Sequence, residues 1–176
     1  MKKQKHPFIV IALLTSFLLL MMGCTENTES ENQDENRRTI ETVLQKNLNG
    51  PDEELEQIWN DMEGEEGIIA FGQYEENRYK NYFANDTSYQ EYVSSYGSVL
   101  WIEPMRNNYK LKVNEIQLEQ TDSEQIIYNF TVEVAYRKEG SKHSEVGRIK
   151  GQANLNEEHK IEDMLIHTNL WETFSK

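Results

Sequence analysis

The chain has 176 residues, a formal charge of −13, and 37% hydrophobic against 28% charged residues. Nucleic-acid binding needs a basic footprint, which so acidic a sequence lacks, so DNA and RNA are excluded as partners. Cys24 is the only cysteine, which excludes an intramolecular disulfide and a thiolate metal cluster.

Met1-Lys2-Lys3-Gln4-Lys5-His6 is a short positive flank, followed by Phe8–Met22, apolar except for Thr15 and Ser16. That order is the grammar of a secretory signal. The apolar run falls short of the roughly 20 residues that a spanning helix needs. Leu20-Met21-Met22-Gly23-Cys24 resembles the lipobox of bacterial lipoproteins, although Met21 and Met22 stand where Leu and a small residue are more common. The resemblance implies that residues 1–23 are a signal peptide and that Cys24 is lipidated. Acyl chains such as palmitate would then hold the protein on the extracytoplasmic face of the cell membrane.

Loss of Lys2, Lys3 and Lys5 with the leader takes the formal charge from −13 to −16. Such a surface disfavours adsorption on anionic lipid, so the anchor supplies the membrane contact. The acidity serves solubility and spacing, or else attracts a basic partner or a cation. There is no run of alternating Asp/Asn with a glycine pivot, as a Ca²⁺ loop would have. Thr25–Asn36 contains no apolar residue and reads, with Cys24, as a flexible acidic stalk. Residues 37–176 are of single-domain length.

Two helices open that domain. Ile40, Val43, Leu44 and Leu48 share one helical face within Arg37–Asn49. Gly50 stops this helix, Pro51 takes the first position of the next, and Asp52, Glu53 and Glu54 fill its first turn. Leu55, Ile58, Trp59 and Met62 repeat the spacing. Ile68–Phe71 is either a buried strand or a helical turn. Tyr79, Tyr82 and Phe83 have helical spacing within Tyr74–Ala84. Asp86–Ser95 is a short helix capped by Asp86 or Thr87, and Pro104 closes the Val99–Glu103 stretch.

The second half reads as sheet. Tyr109, Leu111 and Val113 alternate with polar residues, then Ile116 and Leu118 continue on the other parity, which predicts a β-bulge near Asn114-Glu115. Ile126 to Tyr136 alternate as a half-buried strand. Glu139–Lys142 is a hairpin turn, Ile149–Leu155 the next strand, Asn156–His159 a turn, and Ile161–Thr168 the last strand. Leu170, Trp171 and Phe174 form an apolar C-terminal tag. Helices first and hairpin-connected strands last mean an α+β domain.

Helices followed by a bent antiparallel meander resemble the nuclear transport factor 2-like, or cystatin-like, fold, whose curved sheet wraps a helix as a cone. Thr39–Lys46 together with Asn49-Gly50-Pro51-Asp52-Glu53-Glu54-Leu55 looks like small uncharacterised lipoproteins of Gram-positive bacteria such as the bacilli. The resemblance implies a fold and an address and no catalytic residues, since the superfamily hosts isomerases, dehydratases, binders and adaptors alike.

Catalytic signals are sparse. His143 and His159 fall in turns and are expected in solvent. Asp163, Leu165 and His167 share one strand face, so Asp163 and His167 form the candidate acid–base pair. The alternative is that this face meets solvent while Met164 and Ile166 point to the core. There is no zinc motif, nucleophile elbow or phosphate loop, and no metal or cofactor is expected. Tyr79, Tyr82, Tyr89, Tyr92 and Trp101, with Tyr74, Tyr96, Phe71 and Phe83 nearby, are either core or a surface for a ligand or partner. The expected function is a tethered, non-catalytic domain that binds an envelope protein or a small apolar ligand. The alternative is a small enzyme with isomerase-like or hydrolase-like chemistry in the cone.

Overall fold

The computed structural model describes residues 25–97, 99–168, 170 and 174, with side-chain environments from residue 31 onward. The proposed leader Met1–Gly23 and Cys24 lie outside the described residues. The chain divides into two compact units, residues 1–35 and 36–176. The core described below belongs to the second.

Helix α1 spans Thr25–Leu48. The Thr25–Asn36 stretch, expected to be flexible, is therefore helical. Its Glu and Gln residues are good helix formers, and no Gly or Pro interrupts the chain between Thr25 and Asn49. The expected apolar stripe of Ile40, Val43, Leu44 and Leu48 is wholly buried. At Gly50, with φ of 140°, the chain turns through a cis bond to Pro51. Pro51 precedes the next helix instead of starting it. Asp52 is the true N-cap of α2 (Glu53–Asn60), its carboxylate accepting from the Leu55 N–H at 2.9 Å.

Ile68–Phe71 lies within helix α3 (Glu65–Tyr79), one element where the sequence suggested two. Ile68 and Ile69 are 67% and 52% exposed, which is why their apolarity does not mark a buried segment. A 3₁₀ turn over Lys80–Tyr82 leads to α4 (Asp86–Ser95). Asn85 caps α4, its side chain accepting from Ser88 N–H at 3.0 Å, in place of the expected Asp86 or Thr87. Helix α5 spans Val99–Arg106 and contains Pro104. Pro104 does not close the segment. It sits in the last turns, where only one main-chain bond is forfeited.

Strands β1 (Tyr109–Gln120), β2 (Ile126–Lys138), β3 (Glu145–Leu155) and β4 (Ile161–His167) form an antiparallel sheet in sequence order. The expected bulge falls between Val113 and Glu115. A second register shift at Asn154/Leu155 sets β4 against β3. One face of the sheet carries Tyr128, Phe130, Val132, Val134, Ile149, Ala153, Leu155, Ile161 and Met164, and these join the apolar sides of the helices in a single core. The architecture is α+β, helices packed with an antiparallel meander, as the order of elements implied.

Candidate functional site

Four of the five aromatic candidates belong to the core. Tyr79, Tyr89, Tyr92 and Trp101 are 0–5% exposed, and Tyr82 is half-buried beneath the Lys46 ammonium at 5.0 Å. Tyr92 sits at the centre, with Tyr79 edge-on at 5.4 Å and Phe83 at 4.7 Å. The Asn47 amide donates to the Tyr92 hydroxyl and to the Tyr96 carbonyl. Burial raises the Tyr92 hydroxyl well above the ordinary tyrosine range. Burial likewise pushes Tyr79 up to about 12, against the opposing pull of the Arg78 cation. The Tyr79 hydroxyl lies beside Arg78 and Trp101 without completing a well-aligned bond. These rings are packed as a helix–helix joint, and Tyr89 also borders a groove between α3 and α4.

A charged cluster around Arg78 is also a joint. The Arg78 guanidinium meets the Asp52 carboxylate at 2.7 Å and donates from Nε to the Lys46 carbonyl at 3.1 Å. The Tyr74 hydroxyl donates to the same carboxylate at 3.0 Å, and Lys46 Nζ donates back to the Arg78 carbonyl. This network ties the end of α1 to the cap of α2 and the end of α3.

The space beneath the sheet is full. The nine inner-face residues named above are 0–3% exposed, so side chains occupy the place where a cone-shaped fold would keep a pocket. Asp163 and His167 are exposed on the opposite face, flanking Leu165. Their cross-strand partners are Asn154 and Lys150. Met164 and Ile166 take the core side. His143 is exposed in its turn. His159 is half-buried, with Nδ1 2.9 Å from Asn36 Oδ1, where solvent was expected.

Grooves remain open on the outside of the sheet, along its first edge and on the helices, where Ile69, Glu76, Lys80, Asp86, Tyr89 and Gln90 line about 460 Å³ between α3 and α4. Glu115, Gln117, Thr131, Glu133, Arg148 and Lys150 line a polar depression of about 290 Å³ across β1, β2 and β3. A second groove, about 440 Å³, runs between α1 and β1, lined by Glu41, Gln45 and Asn49 on one side and Val113, Glu115 and Ile116 on the other. A smaller cleft of about 190 Å³ lies between Trp59, Tyr109 and Met105, beside the ion-paired Glu56 and Lys110. Trp59 and Tyr109, each half-buried, line this cleft and were not among the aromatic site candidates. In sequence Trp59 read as part of the α2 apolar stripe and Tyr109 as part of the β1 alternation.

Strand β1 is an edge strand, and its two halves differ. Leu111 exchanges both main-chain bonds with Gly50, at 3.0 and 2.7 Å, and the Val113 N–H donates to Asn49 Oδ1 at 2.8 Å. Beyond the bulge, the Leu118 carbonyl accepts from Arg37 Nη1 at 3.2 Å. Thr121 N–H donates inward to Ile127 O. Alternation therefore turns the main-chain groups of Ile116, Leu118 and Gln120 away from β2.

Among the described residues no group of His, Cys, Asp and Glu is arranged to hold a metal ion, and no helix is long and apolar enough to cross a membrane. A scan against protein-family models and a search of curated proteins both return no match. Among solved structures, the chain is similar to the NMR solution structure of TraH, a protein ascribed to transfer, from the Gram-positive conjugative plasmid pIP501. The TM-score is 0.46 at 16% identity, covering 77% of this chain and 94% of that one.

Proposed function

We propose that the chain is a lipid-anchored, extracytoplasmic interaction domain that binds an envelope protein through the open side of its sheet. Cys24 carries the anchor, and residues 1–23 are the signal peptide that delivers it. The observation that supports the binding reading is the division of the sheet into a filled inner face and a polar, grooved outer face. A filled interior offers neither a cavity for a small apolar ligand nor a dry site for an acid–base pair. Asp163 and His167 belong instead to the binding face. The order of helices and meander supports grouping the domain with nuclear transport factor 2-like and cystatin-like folds.

A photocrosslinking scan on the full chain in intact cells tests this. Crosslinkers at the exposed outer-face positions Gln117 and Gln152 are expected to give one discrete adduct mass. Gln57 and Asn77, exposed on α2 and α3, are expected to give none. Adducts from the helices alone, or from neither set, would defeat the binding reading. Cys24→Ser is expected to move the protein from the membrane fraction into the medium, and retention in the membrane would defeat the anchor.

A further inference from the structure

The two halves of β1 are finished differently, and the difference identifies a strand position that no strand among the described residues fills. Asn49 and Gly50 close the first half by taking the outward groups of Leu111 and Val113. The second half is an edge: Ile116, Leu118 and Gln120 turn their main-chain groups outward, and one side chain, Arg37, caps one carbonyl. An open groove of about 440 Å³ lies between Ile116 and the α1 residues Glu41 and Gln45. A groove bounded by an edge strand and a helix is the geometry in which an extended peptide adds to a sheet.

Charge selects the occupant. Asn114–Gln125 contains Glu115, Glu119, Asp122 and Glu124 and not one basic residue, and in the groove itself Glu41 and Glu115 outnumber the single lining cation, Lys112. A second copy would bring the same acids against this edge, and the bulge at Val113/Glu115 further spoils a match of like edges. A strand rich in Lys or Arg meets neither obstacle and gains from the acidic rim. We infer that the Ile116–Gln120 edge of β1 is a strand-addition site for an extended, cationic segment of a partner protein. The incoming strand pairs with the outward groups of Ile116, Leu118 and Gln120, and its N–H replaces Arg37 at the Leu118 carbonyl. This rests on the reading of the domain as a protein-binding module and names the chemistry of the partner.

The test uses hydrogen exchange, read by mass spectrometry, on the full chain in detergent. The probe is a capped peptide of about ten residues alternating Lys and Val, long enough for one strand. Its control alternates Glu and Val. The Lys–Val peptide is expected to slow exchange in residues 114–120 by about tenfold or more, and the Glu–Val peptide to leave it unchanged. Ile116→Pro removes an outward N–H while sparing the β1–β2 ladder, and is expected to abolish the protection. If that variant loses its fold, Glu115→Gln with Glu119→Gln decides, with protection expected to fall at least threefold.

Equal protection by both peptides, protection confined to another segment, or none at all would overturn the inference. Protection that appears without peptide and grows with protein concentration would also overturn it, because a second copy would then be the occupant. The crosslinking scan stands apart: adducts from Gln117 and Gln152 with no peptide protection would refute the cationic strand and leave the binding face intact.

Discussion

Gly151 sits where β3 runs closest to its neighbours. A Cβ there would lie 2.1 Å from the Leu165 carbonyl oxygen and 2.2 Å from the Phe130 ring. One of these is backbone and neither is free to swing away, so Gly151→Ala is expected to destabilise the fold by about 1–3 kcal/mol in urea unfolding. At Gly147 the nearest atom belongs to the flexible Leu170 side chain, and the same change is expected to cost less. In the sequence Gly151 simply lay within the expected Ile149–Leu155 strand. Its role depends on the β3–β4 register, and no local pattern carries that. Asp52 was legible only as a first-turn acid, and its cap and its pairing with Arg78 needed the approach of α3. Asp52→Ala is expected to cost about 1–2 kcal/mol in the same assay, with Asp52→Asn, which keeps a capping oxygen, recovering part of it.

The tyrosines give a pH signature at the same scale. Burial holds the Tyr79 and Tyr89 hydroxyls at about 12, and those of Tyr74 and Tyr92 also above the ordinary range. The unfolded value is about 10. The neutral phenol is the form the fold favours, so this stabilisation is complete below pH 10 and is lost as the pH rises through 12. In a spectrophotometric titration these tyrosines are expected to ionise late, together with loss of the near-ultraviolet dichroism of the packed rings. Simultaneous titration of all nine near 10 with the fold intact would contradict the buried placement.

Among the elements, strands were read more faithfully than helices. The period-2 pattern of β2 and the parity slip in β1 are direct images of a half-buried surface, and both appear where expected, bulge included. Helix limits failed where polar stretches carried no period at all. Thr25–Asn36 has no apolar stripe, yet its composition sustains a helix once one is running. The Ile68-Ile69 pair suggested burial and is exposed, since α3 turns that side to solvent. Tertiary contact also separates two tryptophans that composition treats alike. Trp101 is 1% exposed at the joint of α5, whereas Trp59 is half-buried in a cleft and stands apart from the core residues. Trp101→Ala is expected to lower stability by about 3–5 kcal/mol and Trp59→Ala by about 1 kcal/mol or less, compared by urea midpoints at equal slope.

For the molecule as a whole, the decisive feature is where space is left. A meander over helices permits either a pocket or a packed layer on its inner face. Alternation in β2 and β3 announces only that the face is apolar, so sequence does not distinguish the two. The side chains decide: Phe130 and Tyr128 from β2, Ile149 from β3 and Met164 from β4 meet the α1 stripe in one core. On the proposed reading the interaction surface is the outside of the sheet and its free edge, residues that in sequence look like any solvated polar alternation. Their acids bias that surface toward cationic partners.

The most direct measurement is a thermal-shift comparison with benzene, run on the wild-type chain and on Phe130→Ala. Removing the buried Phe130 ring opens an apolar cavity of the kind that stays dry and admits benzene. The account predicts that benzene leaves the wild-type melting temperature unchanged and raises that of Phe130→Ala in a saturable way. A saturable rise in the wild-type chain, reversed when Phe130 is replaced by Trp to fill the space, would show an existing pocket beneath the sheet and contradict the claim that the protein acts from its outer face.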